Sequence, residues 1–339
     1  MFALRYGEIM RIQLLFAVSI AIVLNISQAI AAEADAPSLW ENFKLGGYSS
    51  AGVDVHPGGK VDGALNEVSL ILSWEDNSRF RFFSELELER PLSFHQDDTV
   101  VGKNFYFDLE RLYLDYNLSE KLNLRTGRFL TPTGRWNLMH AAPLVWTSSR
   151  PLATSRLFPV STNGLMFYGA VPFANEAFEY SLFAEAIKDQ TLDKGEIPYK
   201  DTKGARFTLS GKINWGLSLL EFREDIPNSP RFRMLGLDFL AQHEGWEFSG
   251  EAFQRYYSDY SNGGSGAYLQ GVVPLGNQWF AVARVENFKR PTEGSSERWL
   301  LGTAWRMSAN RILKIEYIGG DEERPESPKG LLASFAILF

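Results

Sequence analysis

The sequence has four histidines, His56, His95, His140 and His243, as its groups for acid, base or metal chemistry near neutral pH. All four fall in stretches that read as loops or turns, and no G-x-S-x-G, H-E-x-x-H or G-K-[ST] pattern occurs. We expect no catalytic set, no metal site and no cofactor. Glu85, Glu87 and Glu89 are paired carboxylates of the kind that acid and base catalysis uses. A spacing of two in an extended chain places all three on one face, which reads as the acidic lining of a wet surface. Asp-Glu-Glu at 321–323 could hold a divalent ion between phosphates, although a solvated acidic loop accounts for it more simply. The arginines are more informative. From Thr131 to Asn163 the only charged residues are Arg135, Arg150 and Arg156, in a chain whose net charge is −7. Arg125 just before them shares its face with Asn123 and Gly127. Guanidinium groups stay charged and offer forked donors suited to carboxylate or phosphate. The chemistry expected is selection of anions, if these side chains meet at a narrow place.

The elements that would position them alternate with a period of two nearly everywhere, without a sustained helical period. Phe80, Phe82, Leu86 and Leu88 oppose Arg81, Glu85, Glu87 and Glu89; Phe178, Tyr180, Leu182, Ala184 and Ala186 oppose Glu179, Ser181 and Glu185. With 29 Gly, 25 Phe, 13 Tyr and 9 Trp, the composition fits strands and turns, and no cysteine is present to staple a small scaffold. The acidic balance gives no hint of a nucleic-acid partner, which would favour a basic face. Either face could be the hidden one. A soluble sandwich would bury the apolar face, whereas an outer-membrane barrel turns it to lipid and lines a wet lumen with the charged one.

Connection lengths decide between these. About sixteen strands can be marked, with fourteen or eighteen still possible. Short turns around 75, 119, 172, 214, 243, 274 and 307 alternate with longer polar stretches such as those from 90, 188, 256 and 319. Short periplasmic turns and long extracellular loops belong to an antiparallel transmembrane β-barrel. Trp74, Phe80, Tyr116, Trp215, Trp246, Trp279, Trp305 and Phe339 flank the short turns and are expected to form an aromatic girdle in contact with outer-membrane lipid. Strands from Tyr106, Leu217, Trp279 and Trp299 break parity, and a bulge is expected in the first of them. Arg5 and Arg11 before the apolar run Ile12–Ile26, followed by Ala29-Ile30-Ala31, predict a cleaved export signal over residues 1–31 and a mature barrel over 32–339.

The last strand, alternating through Leu331, Ala333, Phe335 and Ile337 to Phe339, resembles the ending of Gram-negative outer-membrane proteins. Residues 112–137, LYLDYNLSEKLNLRTGRFLTPTGRWN, resemble the strand, turn and strand that lead into the third loop of bacterial porins, especially those related to the phosphate-selective O/P type. The long basic ladder of the phosphate-selective members is not seen. The resemblance implies an outer-membrane porin passing small hydrophilic solutes, recognition of the C-terminal strand by the barrel-assembly machinery, and a homotrimer. Outward Gly47, Ser49 and Ala51 would let barrel walls approach. It further implies that the long third connection, Thr131 to Asn163, folds inward and narrows the pore. Arg125, Arg135, Arg150 and Arg156 would then line the constriction opposite Glu85, Glu87 and Glu89, with a modest anion preference. The same arginines could instead bind lipopolysaccharide phosphate outside the pore. A lipid-acting enzyme and a structural or adhesive barrel are the other readings.

Overall fold

The computed structural model describes residues 42–75, 78–95, 105–154, 157–174, 176–188, 197–291, 294–321 and 329–339. The expected export signal and Arg156 lie outside the described residues. Sixteen strands form: Phe43–Val55 (β1), Val61–Glu75 (β2), Phe80–His95 (β3), Tyr106–Ser119 (β4), Leu122–Leu130 (β5), Ser161–Phe173 (β6), Glu176–Glu185 (β7) and Tyr199–Ser210 (β8). The second half comprises Ile213–Glu224 (β9), Arg231–His243 (β10), Trp246–Tyr257 (β11), Asn262–Gly276 (β12), Trp279–Arg290 (β13), Gly294–Ser308 (β14), Arg311–Gly320 (β15) and Gly330–Leu338 (β16). Each pairs with its neighbours in sequence, and β1 pairs antiparallel with β16 to close a barrel.

The apolar face is the outer one. Leu237, Leu269, Val285 and Leu301 are each more than half exposed, while Arg255, Arg284 and Lys314 are at most 2% exposed. A chain that shows its leucines and hides its arginines is inverted relative to a water-soluble sandwich. Beside the short turns, aromatic side chains pair across neighbouring strands: Trp279 stacks on Trp305 with ring centroids 5.4 Å apart, Trp215 meets Phe239 at 5.7 Å and Phe80 meets Tyr116 at 4.8 Å.

The expected bulge in β4 falls at Glu110. Glu85 faces Arg111 while Leu86 faces Leu109, which leaves Glu110 without a counterpart. Asp108 and Glu110 point inward before it, Arg111 and Asp115 after it, and Leu109, Leu112 and Leu114 stay outside. The other parity breaks arise differently. Leu220, Phe222, Phe232, Met234, Phe253 and Phe288 point inward and pack against Leu152, Ala153, Leu157 and Phe158 of the long β5–β6 connection. Val282, Leu300, Ala304 and Ile312 form a second inward cluster with Trp146 and Ala142 of the same connection.

Some expected boundaries move. The turn expected at 214 is at 211–212, and Trp215 is an outward residue of β9. The long stretch expected from 256 shortens to 258–261, because β11 and β12 run on as polar strands beyond the apolar band. The third connection spans 131–160, since β6 begins at Ser161.

Candidate functional site

Segment 131–160 is fastened at its base. Thr131 N donates to Val160 O at 2.8 Å, and the buried Asn137 side chain donates to both Thr131 O and Val160 O at 2.9 Å. Two short 3₁₀ turns follow, Trp136–Leu138 and Leu152–Thr154. Gly134 takes φ +61, and a side chain there would run into the Glu251 carboxylate.

From that base the backbone reaches side chains of distant strands. Gly134 N donates to Ser218 Oγ on β9 at 3.2 Å, and Trp136 N to Glu251 on β11 at 2.6 Å. Leu152 N donates to Glu286 on β13 at 2.7 Å, and Ser148 N and Ser149 N to Glu316 on β15 at 2.9 and 2.8 Å. Cations bind the segment's carbonyls: Lys314 Nζ reaches Ala142 O at 2.7 Å, and Arg284 reaches Ser149 O at 3.0 Å. Strands β13 to β15 stand half the circumference away from β5 and β6 in the closed order. Carboxylates accepting from backbone N–H groups make strong charge-assisted bonds, and each buried amide needs such a partner. None of these wall residues was singled out from the sequence; three glutamates two strands apart carry no local signature.

On the β4–β10 side a cavity of about 460 Å³ remains, bordered by Arg135, Leu138 and Met139 of the segment and by wall side chains including Arg111, Arg125, Arg206, Tyr168 and Asp238. Three of its arginines are paired. Arg125 holds Asp115 through two bonds of 2.7 and 2.9 Å and lies 3.6 Å from the Tyr113 ring centroid. Arg206 binds Asp238 at 2.6 and 2.9 Å. Arg111 is bound to Glu85. Arg135 has no carboxylate within ion-pair distance among the described residues, and it also borders a smaller cavity against β11 and β12.

The residues singled out in the sequence therefore separate. Arg125 and Arg135 border the cavity together. Arg150 turns back on its own segment, donating to Thr154 O at 2.7 Å and to Asn137 Oδ1 at 3.1 Å. Glu85 is fully buried between Ser69 and Arg111 rather than bathed in solvent. Glu87 accepts from Tyr48 at 3.3 Å, and Glu89 accepts from Tyr106. His140 meets Glu110 at 3.0 Å. Arg206, not singled out as a site residue in the sequence, is on β8, two strands beyond the arginine-bearing segment, and borders the same cavity as Arg135.

A closed sixteen-strand barrel, apolar outside and charged within, has the fold of the outer-membrane porins. It is similar to the anion-selective porin from Comamonas acidovorans, with 13% identity, a TM-score of 0.59 and coverage of 88% of this chain and 98% of that one. It is also similar to the trimer form of in-vitro folded OmpT from Vibrio cholerae (8% identity, TM-score 0.59, 88% and 99% covered) and to Salmonella typhi OmpF in complex with daunomycin (10%, 0.57, 88% and 97%). No protein-family model matches. An uncharacterised protein of Aquifex aeolicus is 31% identical over 238 residues, 61% of this chain. The chain spans about half the length of that curated relative, 51%. The likeness to the O/P type rests on residues 112–137 and 331–339 alone.

Proposed function

We propose that this barrel is an aqueous channel for passive diffusion of small hydrophilic solutes through the outer membrane of a Gram-negative bacterium, with a modest preference for anions. The segment 131–160 folds into the lumen and forms the constriction. The observation that carries the reading is Arg135: it borders the 460 Å³ cavity with Arg111, Arg125 and Arg206, and alone of the four it has no carboxylate partner among the described residues. Paired guanidiniums contribute little net field, so one uncompensated charge at a narrow place sets the sign of the ions that pass. A sixteen-strand barrel is too wide for its own side chains to fill, which keeps a path open beside the segment.

Export by the N-terminal signal, assembly through the C-terminal strand β16 and a homotrimeric state complete the reading. Support for the last comes from the outward small residues Gly47, Ser49 and Ala51, whose neighbour Tyr48 points inward to Glu87, and from the trimer form of the Vibrio cholerae neighbour. Purified protein in a planar bilayer should give stepwise conductance, and native mass spectrometry should give a trimer. A silent bilayer together with release of fatty acid from lipid would replace the channel by the enzymatic reading.

A further inference from the structure

Between segment 131–160 and the inner face of β11 and β12 lies the smaller of the two cavities, about 50 Å³, which shares Arg135 and Met139 with the larger one. Its two sides are chemically opposite. The segment brings donors, the Arg135 guanidinium and the buried indole N–H of Trp136. The wall brings acceptors, Glu247 and Ser249 on β11 and, facing Ser249 across the strand pair, Gln270 on β12. Among the described residues Arg135 and Glu247 have no oppositely charged side chain within ion-pair distance, and Trp136 Nε1 and Gln270 Oε1 have no hydrogen-bond partner. Glu247 accepts from Gln242 Nε2 at 2.8 Å, and both Glu247 and Gln270 are buried, at 8% and 5% exposed. Leu144 and Trp146 of the segment supply an apolar edge. Trp146 is itself held in place, with its ring centroid 4.7 Å from that of Phe280 and 4.1 Å from the Arg306 guanidinium.

Buried donors and acceptors are costly to leave unpaired, so a pocket bordered by one of each is built for a polar occupant. Its charges choose the kind. An anion alone would be repelled by Glu247 and a cation alone by Arg135, whereas a molecule carrying both charges satisfies both sides. One water takes up about 10–15 Å³ of such a cavity, so the space admits a solute of about four or five heavy atoms. We propose that this pocket binds a small zwitterion, an α-amino acid of the size of glycine or alanine. Arg135 and Trp136 Nε1–H take its carboxylate, Glu247 and Gln270 Oε1 take its ammonium, and the methyl group of alanine lies against Leu144 and Trp146. The inference depends on the pocket that the segment makes with β11 and β12, and it holds whatever passes through the lumen.

The test is calorimetric titration of the full chain, folded in mild detergent, with glycine, L-alanine, acetate and methylammonium. Glycine and alanine should bind; acetate and methylammonium, each carrying one of the two charges, should bind more weakly by about tenfold or more. Trp136→Phe keeps a ring and removes the donor, and Gln270→Leu removes the acceptor. Each should weaken glycine about tenfold, the loss of one hydrogen bond to a charged group. If Trp136→Phe does not fold, Gln270→Leu carries the same test from the wall. No binding of glycine or alanine overturns the proposal, as does acetate or methylammonium binding as tightly as glycine, or an unchanged glycine affinity in the folded variants. Conductance without glycine binding would count against this pocket alone, and glycine binding without conductance against the channel reading alone.

Discussion

Glu316 on β15 accepts hydrogen bonds from two consecutive backbone amides of the inserted segment, Ser148 N at 2.9 Å and Ser149 N at 2.8 Å. With Glu286 under Leu152 N and Glu251 under Trp136 N, it forms a row of carboxylates on alternate strands, each holding a different part of one chain segment. The segment itself carries no acid; its anchors are on the wall.

Replacing Glu316 by Ala leaves two amides without acceptors, a loss of about 1–3 kcal/mol for each buried group. We expect Glu316→Ala to loosen the segment around 147–149, raising single-channel conductance and current noise in planar bilayers. Glu316→Gln, which keeps one acceptor oxygen, should fall between the two. Unchanged conductance in Glu316→Ala would show that this anchor does not control the constriction.

Leu182 and Glu185 test the assignment of faces on β7. Leu182 is 46% exposed on the outer wall, while Glu185 accepts a bond from Thr202 N at 2.7 Å. Leu182→Arg should destabilise the protein by about 2–4 kcal/mol if the site is near the bilayer midplane. Glu185→Gln retains an acceptor and should be nearly neutral. Urea unfolding in lipid vesicles gives both values, and the reverse ranking would mean a register slipped by one residue, which exchanges faces.

The sequence made most of this legible where period-two alternation was clean, as in β3 and β7, because burial on one side imposes that period. It faltered in β9, β13 and β14, where Leu220, Phe222, Val282 and Leu300 are inward and apolar. Those residues are the seat of the segment 131–160, so the apparent noise marks a packing partner that no local window contains. Boundaries near the long connections were misread for a related reason: β11 and β12 continue past the apolar band, where neither face has to be greasy. Arg125 lies on the face it shares with Asn123 and Gly127 and borders the cavity, whereas no local pattern shows where Arg150 turns. Its donors go to Thr154 and Asn137, a contact set by the fold of the segment.

Gly127 tests the close approach of β5 to its neighbour. Its φ is +127, and a β-carbon would collide with the Leu112 carbonyl on β4. The facing residue on β6 is Gly164. Gly127→Ala should lower stability by about 1–3 kcal/mol, the range for a residue forced into a sparsely allowed conformation, measured again by urea unfolding. A neutral substitution would mean that β4 and β5 separate there without consequence.

The most direct test of the account is the reversal potential under a potassium chloride gradient, compared for wild type, Arg135→Ala and Arg150→Ala. Wild type should favour chloride modestly; Arg135→Ala should move the potential toward cation preference because it removes the uncompensated charge at the cavity. Arg150→Ala should leave the sign unchanged. A cation-selective wild type, or an Arg135→Ala channel with the wild-type potential, would contradict the account.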